Sequence, residues 1–240
     1  MSVFPEELPG RERFGPQAAE RLTAYAREVL RWNRAVNLVS RAKAGEHVAR
    51  LLDLCISGFY VLDTIVAEAW TRWAEASGTV AYADIGSGAG LPGIPWRILV
   101  EERTPAPPVG WLVEPRTRRA WFLARQIQIL GLRNCRVQGG RWGDVRLEEE
   151  NYAQPRPWVV SLMMLAMGDP EVIAGWNSAL PRTAAARPGL TIVRLRGSLD
   201  KGETESGIAR ALSLPGPARR RVVPFESSRG GGTLIVSFHA

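Results

Sequence analysis

Val80-Ala81-Tyr82-Ala83-Asp84-Ile85-Gly86-Ser87-Gly88-Ala89-Gly90-Leu91-Pro92-Gly93 decides the fold. The first six residues form a short, mostly apolar run, as a strand buried in a sheet requires. Glycines at 86, 88 and 90 then let the backbone turn tightly and approach a ligand closely. A helix is expected to begin near Pro92–Pro95, since proline is tolerated in a first helical turn. Strand, glycine turn and helix make the opening unit of an open α/β sheet. The turn lies at the carboxyl end of the strand, where such sheets bind ligands.

Downstream the same alternation continues. WLVE (111–114), CRVQGG (135–140), WVVSLMML (158–165) and LTIVRLRG (190–197) read as strands two to five. Residues 116–132 read as an amphipathic helix ending at Gly131, and Asp169–Ala179 as another helix. RRRVVPF (219–225) and TLIVSFH (233–239) bracket a glycine-rich turn, Gly230–Gly232, and are expected to pair antiparallel. Strands alternating with helices imply βαβ units and a mostly parallel sheet covered on both faces.

Upstream the pattern is helical. In residues 18–38, Leu22, Tyr25, Ala26, Val29 and Trp32 recur at helical spacing. Two further helices are expected, Glu46–Leu62 and Ile65–Ala76, the latter carrying Trp70 and Trp73. Residues 1–16, with three prolines, read as a loose arm. The expected division is therefore 1–77, arm and helices, and 78–240, the sheet domain, joined at Gly78–Thr79.

The chain has 240 residues, 45% of them hydrophobic, enough to bury a sizeable core. No apolar stretch approaches the ~18 residues needed to span a bilayer. The first residues, MSVFPEELPGRERFG, contain no apolar signal region, so a cytoplasmic protein is expected. Cys55 and Cys135 form no CxxC pair, and His47 and His239 stand alone, so no metal is expected. Both cysteines read as small core residues. The formal charge is +7, and Lys43 and Lys201 are the only lysines. A basic surface suits a polyanion. Substitution of arginine for lysine in GC-rich genomes produces the same composition, so charge alone does not decide the partner.

The loop alone is also ambiguous. Gly88-x-Gly90-x-x-Gly93 satisfies the dinucleotide fingerprint, but an S-adenosylmethionine site uses the same strand-loop-helix unit without a pyrophosphate, and a purely structural turn is a third reading. Either nucleotide calls for a carboxylate at the end of the second strand to hold the ribose, and Glu114 stands there.

Four segments together resemble one family: the bacterial methyltransferases that modify a guanine at N7 in small-subunit ribosomal RNA, also called glucose-inhibited division protein B. Trp32-Asn33-x-x-x-Asn37-Leu38 resembles the family's WNxxxNL helix end. Arg50-Leu51-Leu52-Asp53 resembles its H-x-x-D segment, with Arg50 in place of His. Residues 84–95 resemble DVGSGAGFPGIP, the most specific piece. Glu114 through Asn134, with Arg119, Phe122 and Leu123, resembles the block from the acidic residue through KR-x-x-FL to LGLxN. The match spans roughly residues 25–145 in the right order and spacing.

The resemblance implies a class I S-adenosylmethionine methyltransferase fold with the cofactor at Asp84, Gly86, Ser87, Gly88, Gly90 and Leu91. Gly86 and Leu91 would line the methionine side, and Glu114 would take the ribose. Arg141-Trp142-Gly143 stands where the family has R-x-E near the adenine, and Trp142 is expected to stack on or cover that ring. Met163 replaces an arginine expected near cofactor and substrate, and Arg196-Gly197 replaces Lys-Gly. The missing acid at Gly143 and the missing arginine at Met163 also fit a relative that binds RNA without methylating it. The implied partner is small-subunit ribosomal RNA or the subunit, met by a monomer without a membrane or a metal. Arg50, Arg116, Arg118, Arg119 and Arg196 are the expected RNA contacts, with Arg125 and Arg194 beside them. Trp32, Trp111 and Trp121 read as core positions.

Overall fold

A computed structural model describes residues 8, 10–77, 80–147, 158–163, 165, 167–179, 189–198, 203–213, 216 and 219–239, with no side chains described for 66–77. The joint at Gly78–Thr79, Met164, Lys201 and the Trp70 and Trp73 side chains lie outside that description.

Helices α1 (Pro16–Val36) and α2 (Ala44–Ser77) precede the sheet. The alternating part runs β1 (Ala81–Ile85), α3 (Gly93–Arg103), β2 (Gly110–Glu114), α4 (Thr117–Ile129), β3 (Cys135–Gly139), β4 (Trp158–Met163), α5 (Asp169–Ala179) and β5 (Leu190–Gly197). A short α6 (Glu205–Ala211), β6 (Arg220–Ser227) and β7 (Gly230–His239) complete it. The seven strands lie in the order β3-β2-β1-β4-β5-β7-β6. Strands β1 to β5 are parallel, β7 is antiparallel to β5, and β6 to β7. The strand order reverses between β1 and β4, the switch point beside which such sheets bind ligands.

Alternation along each strand sorts the side chains onto two faces. Ala81, Ala83 and Ile85 join Trp111, Val113, Trp158, Val160 and α5's Val172 and Trp176 in one core, where Trp111 and Trp158 stack 5.2 Å apart. Leu112, Val159, Val193 and Leu195 join α1 to α4 in the other, so the N-terminal helices and the sheet share that core. Near-continuous burial of both faces explains why these strands read as apolar runs rather than alternating ones.

Several expectations need correction. The two helices expected over 46–76 are one, because nothing between Leu62 and Ile65 breaks a helix. The arm is shorter than expected: a 3-10 turn, Arg11–Arg13, leads straight into α1, and Phe14 is buried. The glycines 230–232 belong to β7 rather than to the turn, which is Ser228–Arg229. A Cβ at Gly232 would collide with Leu54 and Phe225, so glycine here makes room for α2 and β6. Trp121 is 70% exposed rather than core, and Trp32 is half-buried.

The WNxxxNL segment shows what its residues do locally. Asn37 adopts the left-handed conformation, φ 53°, that ends α1, and the buried Asn33 side chain accepts the Val39 N–H at 2.9 Å. Arg119 on α4 donates to the Asn37 carbonyl at 2.7 Å, while Trp32 packs on Phe122. The motif is a joint between α1 and α4. A second joint was not foreseen: buried Glu101 meets Arg21 at 2.8 Å, Arg97 at 3.4 Å and Arg133 at 3.7 Å.

Candidate functional site

The loop after β1 is built from the strand upward. The Gly86 and Ser87 N–H groups both donate to Val113 O, at 2.9 and 3.1 Å, so the loop leaves β1 still tied to β2. Gly86, Gly88 and Gly90 have φ of 68°, 57° and 96°, which side-chain-bearing residues rarely adopt. Ser87 closes the turn by donating its hydroxyl to Asp84 O at 2.8 Å, and its own carbonyl accepts Gly90 and Leu91 N–H. From α1, the buried Tyr25 hydroxyl donates to Ala89 O at 2.8 Å. The N-terminal helices thus help to hold the loop.

Two carboxylates frame the turn. Glu114, buried at the end of β2, accepts the Gly88 N–H at 2.8 Å on one oxygen and the Arg116 N–H at 2.9 Å on the other. Each oxygen retains a lone pair, so the group can still accept from a pair of hydroxyls. Asp84 lies deeper. Its oxygens accept the Ser161 hydroxyl at 2.5 Å and the Gly93 N–H at 3.3 Å, and Tyr82 OH lies 2.6 Å from that serine. Burial raises the Asp84 pKa to about 6, against the opposing pull of Ser161, Ser87 and Gly93. Sequence reading missed Ser161 and Tyr82. Their only signal was a hydroxyl inside an otherwise apolar strand.

The outer side of the turn is bare backbone. A Cβ at Gly86 would meet only Leu165, at 3.2 Å, and one at Gly88 nothing nearer than 3.7 Å. The cradle is therefore bounded by flexible side-chain tips, as a ligand that touches main chain requires. On the inner side there is no such room: a Cβ at Gly93 would lie 2.5 Å from Leu112 and 2.7 Å from Asp84.

The remaining expected residues divide. Leu91 stays beside the loop, half-buried, and Arg119 lies against both loop and α1; burial, then Arg116, lowers its pKa. Arg116, Arg118 and Arg141 are exposed beyond the ends of β2 and β3, and Arg50 is exposed on α2. Gly143 is exposed too, with open space where a side chain would be. Trp142 corrects its expectation. Its ring is buried against Gly175 and its N–H donates to Val172 O at 2.9 Å, so it offers no face to a bound adenine. Met163 also turns inward, its sulfur 3.7 Å from Cys55 Sγ. Arg194 is buried on Asp169, and Arg196 holds Glu203 with 3.0 Å to each oxygen.

The profile of one family, GidB, rRNA small subunit methyltransferase G, matches residues 18–210. The chain belongs to this family. The family match runs from α1 through most of α6 and leaves the β6–β7 hairpin outside it. Among the relatives is the ribosomal RNA small subunit methyltransferase G of Mycolicibacterium gilvum, 36% identical over 140 residues, which are 58% of this chain and 54% of that protein. That of Cellvibrio japonicus is 32% identical over 127 residues, 53% of this chain and 51% of the relative. The chain thus spans about half the length of the curated relatives it matches. Among solved structures, an O-methyltransferase from Bacillus cereus, crystallised with SAH, superposes with a TM-score of 0.52 over 90% of this chain and 91% of the other, at 16% identity. The fold is therefore the class I methyltransferase fold expected from the sequence. Among the described residues no three His, Cys, Asp or Glu side chains cluster, and no helix is long and apolar enough to cross a membrane.

Proposed function

We propose that this chain, a cytoplasmic monomer, binds S-adenosylmethionine at the loop between β1 and α3 and transfers its methyl group to a guanine N7 of small-subunit ribosomal RNA. In this reading residues 78–240 carry the cofactor and residues 1–77 brace it. One observation favours this cofactor over a dinucleotide. The N–H groups at the start of α3 are already taken: Gly93 N–H donates to the Asp84 carboxylate and Ile94 N–H to the Gly90 carbonyl. A pyrophosphate needs those free N–H groups and the favourable end of the helix dipole, and Asp84 repels it from both.

Bound S-adenosylmethionine would supply an electrophilic sulfonium methyl: the in-plane lone pair of guanine N7 would form the N–CH3 bond as the S–CH3 bond breaks and S-adenosylhomocysteine leaves, with no general base needed because N7 carries no proton. The chain's own work is then placement. Glu114 would hold the ribose hydroxyls, and the bare backbone from Gly86 to Gly88 would line the methionine. Placement of this kind supplies roughly 7–11 kcal/mol of the barrier reduction. The target base must come from an RNA loop or be turned out of a stack. Calorimetry should show binding of S-adenosylmethionine and S-adenosylhomocysteine and none of NAD. Transfer of a tritiated methyl to unmodified small subunits tests the reaction itself. Cofactor binding without transfer would point instead to a binding protein.

A further inference from the structure

The most unusual surface of the molecule is the outward side of α4. Arg118, Trp121, Arg125, Gln128 and Ile129 are spaced three and four apart and share one helix face. All five are exposed, whereas Phe122, Leu123 and Gln126 on the opposite side are buried. An indole 70% open to water leaves a large flat apolar face available for contact. Its surroundings define what that can be. No Asp or Glu occurs anywhere between Glu114 and Asp144, while arginine occurs at 116, 118, 119, 125, 133, 136 and 141. Among the described residues Arg118 makes no hydrogen bond or ion pair, and the Arg125 guanidinium lies over the Trp32 ring, 5.9 Å from its centroid. Glu28, bonded to the Trp32 indole at 3.3 Å, is an acid at the α1 border of this face, but α4 itself contributes none, and an arginine-flanked aromatic face complements a polyanion that carries flat apolar rings. A protein partner of ordinary composition lacks that combination.

Resting on the ribosomal RNA reading above, we propose that α4 presents a stacking platform, with an unpaired base of the substrate RNA lying on Trp121 and the adjoining phosphates on Arg118 and Arg125. The helix begins three residues after Glu114, and Arg119 on its first turn comes within 3.7 Å of a Cβ placed at Gly88. Trp121 is two residues further on, about 3 Å along the axis and about 200° around it, so the platform lies across α4 from the loop. A strand held there would have to cross the width of α4, about 10 Å, to bring a neighbouring base to the methyl-donor site. Stacking accepts any base because every base has a π face, whereas a duplex keeps its bases stacked on each other. The platform therefore selects single-stranded or looped RNA without reading sequence.

The test uses the full chain and a labelled single-stranded RNA of about 12 nucleotides, with the matching duplex, titrated by fluorescence anisotropy at about 50 and 200 mM salt. Trp121→Ala should weaken single-strand binding about tenfold with an unchanged salt slope. Trp121→Phe should recover most of it. Arg118→Gln should instead lower the salt slope by about one. Because Trp121 supports no core contact, its alanine variant should melt with the unchanged chain. The platform is overturned if Trp121→Ala binds RNA like the unchanged chain, if the duplex binds as well as the single strand, or if the variant changes only self-association in sedimentation. Methyl transfer to small subunits by the unchanged chain separates the two ideas. Transfer that is indifferent to Trp121 removes the platform and leaves the function standing, and absence of transfer and of RNA binding in the unchanged chain removes both.

Discussion

The ends of β1 and β2 and the ends of β4 and β5 stand side by side along the carboxyl-terminal edge of the sheet, yet they are built in opposite ways. At the first pair the chain withdraws its side chains. Glycines bare the backbone, and Glu114 is held by two N–H groups with lone pairs to spare. At the second pair the chain satisfies itself. Met163 packs on Cys55, Arg194 is buried on Asp169, and Arg196 is held by Glu203. A charge visible in a sequence is available to a ligand only if no distant part of the chain has already claimed it.

Breaking the self-satisfied side should give the largest effect. Asp169 accepts Arg194 at 2.5 Å and His239 at 2.8 Å. Asp169→Ala leaves a guanidinium that is only 4% exposed without its partner. The expected cost is about 3–5 kcal/mol in denaturant unfolding, with S-adenosylhomocysteine affinity of the folded fraction within twofold. A variant that keeps its stability but loses the cofactor would show that the two edges are one site.

Breaking the bare side should do the reverse. Gly86→Val places a β-branched side chain at φ 68°, facing Leu165, where the ligand must touch main chain. Calorimetry should show S-adenosylhomocysteine affinity reduced at least about a hundredfold, or near 3 kcal/mol. Unchanged affinity would dismiss the loop as the binding site.

A pH series separates the edges more gently. The folded-state pKa of Asp84, about 6, lies above the ordinary 3.8, so the folded protein binds the extra proton between those values. Stability from this group is therefore present below about pH 4 and is lost as pH rises through 6, by roughly 3 kcal/mol. Asp84→Asn should remove that decline. Equal pH slopes for the two proteins would mean that burial does not raise the Asp84 pKa.

The difference between the edges also marks what a sequence can disclose. The β1 loop is contiguous: strand, glycines and helix start fall within fourteen residues, and φ demands glycine where glycine stands. Glu114 was legible because parallel neighbours place successive strand ends at one level. What stayed hidden depended on partners far along the chain. Trp142 looked like an adenine cover from its position after β3, but the space at Gly175, 33 residues on, draws it into the core. Trp121 matched a core period although the helix turns that side to water. Nothing local separates Arg118, unpaired among the described residues, from Arg196, which Glu203 holds.

That last pair gives the smallest and most discriminating prediction. Arg196 and Arg118 contribute the same formal charge to a phosphate-binding surface, but Arg196 is held bidentately by Glu203 at 3.0 Å. Arg196→Gln should change affinity for single-stranded RNA by less than about twofold, because the charge it removes was already paired. Glu203→Gln should strengthen binding and raise the salt slope by up to about one, since it releases a guanidinium at the sheet edge. A tenfold loss in Arg196→Gln would mean that RNA outcompetes Glu203, and the β5 edge would then belong with α4 as a nucleic-acid surface.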